Sequence, residues 1–284
     1  MKKKSFKIMV LFLLVALALV GCGGKKEGEA GASSSPSGKS GGETAAGGTF
    51  QKIKERGKLI VGVKYDTNLF GLKDPASGEV TGYDVDFAKA LAKKFLGDEN
   101  KLELEEVNSK TRIPMLDNGE IDAIIATMTI SKERKKQVDF SDVYFKAGQS
   151  LLVKKGSPIK GIGDIRKGTK VLTAKGATSG KNIKEKAEGV QVLEYENYQE
   201  AFNALKAGKG DALTTDNSIL YGMVKQDPNF EVVGEPFTDE PYGIAVKKGE
   251  AEFLKEVNGL LKEMQSNGEA DKIYEKWIGE KPKK

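Results

Sequence analysis

The chain of 284 residues has no His, one Cys and one Trp. Without His there can be no His-based triad, few kinds of catalytic zinc centre and no ordinary switch near neutral pH. A single Cys rules out an internal disulfide and a thiolate metal cage. A large excess of charge is also missing. The formal net charge is +5, but Lys2, Lys3, Lys4 and Lys7 lie in what reads as a removable leader, and without them the chain is nearly neutral. Such a body lacks the basic footprint that phosphate binding requires, so no nucleic-acid partner is expected. No cofactor and no metal site are expected either. What is present, 38% hydrophobic and 31% charged residues, describes an ordinary globule large enough for one large domain or two modest ones.

Residues 1–21 read as a signal peptide: a basic start, then the 13-residue apolar run Ile8 to Val20, too short for a relaxed membrane-spanning helix. The run ends in Leu19-Val20-Gly21-Cys22, which resembles the lipobox of bacterial lipoproteins. The resemblance implies cleavage before Cys22 and a diacylglycerol on its sulfur; two acyl chains anchor firmly where one binds only marginally. In the next 27 residues, 23–49, nine are Gly and five are Ser. With almost nothing apolar to bury, this stretch reads as a flexible tether with a reach of roughly 30 Å. The expected arrangement is a globule from residue 50 onwards, leashed by a lipid at Cys22 to the outer face of a Gram-positive-type cell membrane.

Through the globule, short apolar strands alternate with helical segments, the pattern of an α/β protein. Leu59–Val63 and Ala123–Ala126 read as buried strands, and Asp84–Leu96 as a helix ended by Gly97. Strands are expected at 151–154, 170–173, 190–195, 211–214, 230–233 and 242–246, and helices around 182–187, 198–207, 217–225, 253–264 and 270–277. An internal echo, L-x-x-G-x-x-D-A, occurs at Leu116–Ala123 and again at Leu205–Ala212. Each copy lies where a helix hands over to a strand, with Gly able to take the left-handed conformation. Two such corners favour two lobes of similar build.

Several segments together, in order and spacing, resemble the polar-amino-acid solute-binding proteins of bacterial ABC importers: 61–66 (VGVKYD), Gly82–Phe87, Lys110–Gly119, Ala126–Lys136, Val138–Ser141, Thr215–Ser218 and Tyr242–Ile244. The resemblance spans about Lys58 to Gly279, and the aspartate/glutamate and glutamine binders are most similar. It implies two α/β lobes joined by two hinge strands, with the ligand cleft between them. Lobe one would comprise 50–143 plus 243–284 and lobe two 149–237, with hinges at 144–148 and 238–242. It also implies ABC permease and ATPase subunits as partners; a monomer is expected.

By the same resemblance, Arg134 forks onto a ligand α-carboxylate, a geometry that Lys cannot reproduce. Read without it, Arg134 sits in the first turn of a helix capped by Ser131, where a cation is unfavourable. Thr129 and the backbone near Thr127 stand at the carboxyl end of a buried strand, where open α/β sheets bind ligands. Asp216 would accept the ligand α-ammonium, besides serving as the N-cap of the helix from Asn217. Thr178 and Ser179 open a helix and could form a small anion nest. Tyr242 is carried with these residues.

Lys64 and Arg112 occupy positions held by Lys and Arg in the similar aspartate/glutamate binders; glutamine binders typically hold an acid at the place of Lys64 and an aromatic platform near Ser109. Lys64, Arg112 and Arg134 against Asp216 make a site charge near +2, which favours an acidic amino acid (glutamate or aspartate) over neutral glutamine, because an unpaired buried cation is costly. The expected function is therefore an acidic-amino-acid-binding lipoprotein of an ABC importer. The alternatives are a glutamine-binding protein of the same family and a ligand-sensing lipoprotein. An enzyme on the same fold is disfavoured: there is no His, and the one acid placed in the cleft is occupied by the ammonium.

Overall fold

A computed structural model describes residues 48–279. The stretch read as a signal peptide, Cys22, nearly all of the stretch read as a tether and residues 280–284 lie outside the described residues. The first elements are α1 (Thr49–Arg56), β1 (Leu59–Val63), β2 (Asp66–Thr67), β3 (Gly71–Lys73), β4 (Val80–Thr81), α2 (Tyr83–Leu96), β5 (Leu102–Glu106), α3 (Arg112–Asn118) and β6 (Ala123–Ile124). Then follow β7 (Val138–Ala147), β8 (Gln149–Lys154), β9 (Lys170–Ala174), α4 (Ser179–Lys186), β10 (Gln191–Tyr195), α5 (Tyr198–Lys206), β11 (Ala212–Asp216) and α6 (Asn217–Gln226). The chain closes with β12 (Phe230–Val233), β13 (Glu240–Lys247), α7 (Ala251–Ser266) and α8 (Glu269–Ile278). Helix α1 begins one residue inside the stretch read as tether, where the Thr49 amide and hydroxyl bond Glu250.

Two five-stranded sheets carry the fold, in the orders β5-β1-β6-β13-β7 and β10-β9-β11-β8-β12. They match place for place. In the first, β1 runs parallel to β5 and β6, and β13 runs antiparallel to β6 and β7. In the second, β9 runs parallel to β10 and β11, and β8 runs antiparallel to β11 and β12. Each sheet has its own apolar packing. Phe50, Val61, Val85, Leu91 and Phe253 are buried on the first, and Leu152, Leu172, Phe202 and Leu213 on the second. Each such side chain contributes about 1.5–3 kcal/mol by leaving water. The chain passes between the sheets twice, from Ala147 to Gln149 and from Val233 to Glu240. The fold is thus two α/β lobes joined by two crossings.

The echoed corners are the same structure built twice. Gly119 and Gly208 both take positive φ, 76° and 68°. Asp122 N–H bonds Ile60 C=O, and Asp211 N–H bonds Lys170 C=O, each at 2.8 Å. Their carboxylates accept the N–H of those same neighbours, Ile60 at 2.8 Å and Lys170 at 2.7 Å. The aspartate closes the first rung of the strand pair from its side chain, which explains its place in the motif.

β5, the sheet of β2, β3 and β4, and the length of β7 carry little signal in the sequence. β5 is an edge strand with its side chains only partly buried, so its pattern was faint. The sheet of β2, β3 and β4 is made of two- and three-residue strands. β7 is ten residues long, because it belongs to the first sheet and also leads into the crossing.

Candidate binding site

The ends of β1, β6 and β11 converge on the contact between the lobes, and the side chains there are polar and buried. Lys64 directly follows β1 and is 2% exposed, with Nζ 4.2 Å from the centroid of the Tyr198 ring of the other lobe. Arg112 starts α3, and its Nη1 donates to the Ala126 carbonyl at 2.7 Å. Its Nε is buried without a partner. Arg134 Nη1 donates to the Thr129 carbonyl at 2.8 Å, and Nη2 crosses to the Gly176 carbonyl of the other lobe at 3.1 Å. Gly176 has a φ of 75°, and a Cβ there would lie 2.7 Å from the Ser109 carbonyl oxygen. Only glycine permits so close an approach of the two lobes.

Thr127 has a φ of 46°. A β-branched residue in this region is strained by about 1–3 kcal/mol and needs outside support. The support is Asp84, whose Oδ2 accepts the Thr127 N–H at 2.9 Å while Oδ1 accepts the Tyr144 hydroxyl at 2.8 Å. Thr127 Oγ1 is left without a partner. Asp216 ends β11. Its Oδ2 accepts the Tyr242 hydroxyl at 2.6 Å, and its Oδ1 is buried and unpaired. It caps α6 by position only, with no side-chain cap bond.

Thr178 and Ser179 border this group, Thr178 through Glu240 and Ser179 through Tyr198. The Thr178 hydroxyl donates to Glu240 Oε2 at 2.9 Å and accepts from Gln149 Nε2 at 3.0 Å. The Ser179 and Thr173 hydroxyls lie 2.5 Å apart. Both hydroxyls expected to form an anion nest are thus already engaged within the protein.

Two expectations need correction. The segment after Ser131 is not an α-helix: only Arg134–Lys136 form a single tight 3₁₀ turn. Ser131 Oγ does accept the Arg134 N–H, at 3.2 Å. There is no helix dipole to oppose the guanidinium, so that objection to a cation there disappears. The second correction concerns charge. Counting Asp216 as the only acid missed Asp84, 0% exposed, and Glu240, 2% exposed. Fully ionised, these three carboxylates match Lys64, Arg112 and Arg134 one for one. Half-buried Asp66 also acts on Lys64. Asp84 lies in the recognised Gly82–Phe87 segment, but nothing in the chain places it beside Lys64; Glu240 carries no local signal at all. The disfavouring of an enzyme likewise rested on a lone acid, and that premise does not hold.

The ionisation of these groups follows from burial. Loss of water pulls the Lys64 ammonium down to about 8, against the pull of Asp66. Burial, with Arg134 adding like charge, brings Arg112 down to about 9. Asp84 is pushed up to about 7 by burial despite its bonds from Tyr144 and Thr127. Asp216 is raised to about 7 by burial and then by the charge of Glu240, with the Tyr242 hydroxyl opposing. Guanidinium donors on one lobe thus face an unpaired carboxylate oxygen on the other, an arrangement complementary to a small molecule with separated charges of both signs.

The family model for bacterial extracellular solute-binding proteins, family 3, matches residues 59–280. The chain belongs to that family. It is a family of binding proteins. This solute-binding protein is 58% identical over 280 residues to "ABC transporter glutamine-binding protein GlnH" of Bacillus subtilis, covering 99% of each chain. It is 61% identical over 261 residues to a "Glutamine-binding protein" of Geobacillus stearothermophilus, covering 90% of this chain and 98% of the relative. Among solved structures, "An ancestral arginine-binding protein bound to glutamine" aligns with a TM-score of 0.74 at 50% identity, over 79% of this chain and 99% of that one.

Proposed function

We propose that this solute-binding protein captures glutamine outside the membrane and delivers it to the permease and ATPase of an ABC importer. The observation that carries the reading is the identity of 58% and 61% to two relatives whose names give glutamine as what they bind. The cleft agrees with it. Three buried carboxylates, Asp84, Asp216 and Glu240, lie among its three buried cations, so the cations do not call for a second ligand carboxylate. A glutamine zwitterion is neutral overall, whereas glutamate adds a net negative charge beside these acids. The glutamine reading replaces the acidic-ligand expectation, which rests on one acid where there are three.

In this reading the ligand α-carboxylate lies against Arg134, with the Arg112 Nε and the backbone near Thr127 and Thr129 beside it. The α-ammonium meets the unpaired Asp216 Oδ1. The side-chain amide extends towards Lys64. Tyr242 orients Asp216, and Ser179 and Thr178 hold the start of α4. The lobes turn about 144–148 and 238–242, and glutamine drives closure by binding the closed arrangement better. Calorimetric titration with glutamine, glutamate and aspartate tests the reading. Glutamine should bind tightest, and tighter binding of glutamate would return the site to the acidic-ligand reading.

The mature protein is proposed to be monomeric and lipid-anchored through Cys22, on the strength of the lipobox-like Leu19–Cys22. Cys22→Ala should shift the protein from the detergent to the aqueous phase or leave it unprocessed. A processed variant still in the detergent phase would exclude a Cys22 anchor.

A further inference from the structure

Tyr198 lies outside the residues that the sequence marked, yet it occupies the contact between the lobes. It is the first residue of α5 and is 4% exposed. Its backbone N–H donates to Asp66 Oδ2 of the other lobe at 2.9 Å. That bond pins the start of the helix two residues along from Lys64 and fixes the ring over the ammonium, 4.2 Å from its centroid. A buried ammonium needs a counter-ion, a set of acceptors or a polarisable face. Among the described residues no carboxylate oxygen hydrogen-bonds Lys64; Asp66, Asp84 and Asp216 act on it through space. The aromatic face is the close contact.

We propose that Tyr198 is a specificity-determining residue: its ring supplies the stabilisation that Lys64 would otherwise draw from a ligand carboxylate, so that the cleft accepts a side-chain amide. The inference rests on the glutamine reading and gives it a physical cause. A lysine at this position, taken alone, calls for an anionic ligand. Covered by an aromatic face and surrounded by acids at longer range, it becomes a donor that an amide oxygen can satisfy. Aspartate or glutamate in the same place would bring a charge that the ammonium no longer needs and that the nearby acids repel.

The test compares wild type, Tyr198→Phe and Tyr198→Leu, each titrated with glutamine and glutamate at pH 7 and one salt concentration. Phe keeps the aromatic face, so the ratio of the two dissociation constants should stay within about threefold of wild type, whatever happens to absolute affinity. Leu removes the face, and the ratio should move towards glutamate by roughly tenfold. Adding Lys64→Met to the Leu variant should abolish that shift, which a general loosening of the cleft would not do. Should Tyr198→Leu fail to fold, Tyr198→Met removes the face while filling the space. A ratio unchanged without the face, or moved as far by Phe, would overturn the role of Tyr198 and leave the glutamine reading standing. Wild-type preference for glutamate would remove both.

Discussion

Asp122 and Asp211 hold the same place in two sheets of the same order and have different surroundings. Each carboxylate accepts the N–H of the neighbouring strand's residue. Asp122 is 7% exposed and also pairs with Arg56, whereas Asp211 lies at the surface. At the opposite ends of the strands the lobes diverge further. The first lobe presents Lys64, Arg112 and Arg134; the second presents Asp216 at the end of β11. One scaffold is repeated, and the repetition carries no chemistry of its own. In the proposed function the chemistry comes from what each lobe places at its strand ends, with Asp66 and Asp84 of the first lobe tempering the charge of Lys64 beside them.

The largest expected effect comes from removing one pole of that arrangement. Arg134→Ala on the first lobe and Asp216→Ala on the second should each weaken glutamine binding by ~2–5 kcal/mol, since each strands a charged ligand group in a buried setting. Calorimetric titration reads the loss. A variant that titrates like wild type would take its lobe out of the clamp and break the comparison there.

A smaller effect separates the two corners. Asp122→Ala should lower unfolding stability by ~1–3 kcal/mol, because it leaves the N–H of half-buried Ile60 without its carboxylate and Arg56 without its partner. Asp211→Ala should cost about 0.5–1 kcal/mol, since water can replace the exposed carboxylate. Urea unfolding of both variants measures the difference. Equal losses would mean that the corners are equivalent in energy as well as in geometry.

The smallest effect is a fraction of a proton. Asp84 and Asp216 are both held near 7, above the ordinary carboxylate range. In the native ligand-free protein they therefore bind protons that the unfolded chain has released. Their contribution to stability is full below the ordinary carboxylate pKa and is lost as pH rises towards and through 7. A ligand ammonium beside Asp216 favours its ionised form, so glutamine binding at pH 6 should release part of a proton, and less at pH 8. Titrations in two buffers of different ionisation enthalpy measure the release. No dependence on buffer at pH 6 would mean that Asp216 is already ionised before binding.

What the sequence by itself determined was local. The strand Leu59–Val63, the helix ended by Gly97 and the paired Gly–Asp corners follow from periodicity and from the left-handed freedom of glycine. The family resemblance carried by the motifs then implied two lobes and named Lys64, Arg112, Arg134 and Asp216, all of which are buried at the junction. Local reading failed where a residue's neighbours come from elsewhere in the chain. Ser131 looked like a helix cap because the charges after it suit a helix, but the guanidinium of Arg134 is held by Thr129 and Gly176, and only one turn forms. The net charge of the cleft was decided by the tertiary structure alone. Asp84 reaches it from α2, Glu240 from the second crossing and Tyr198 from the other lobe. Electrostatic interaction depends on distance in space and on exclusion of water, and neither can be counted along a chain.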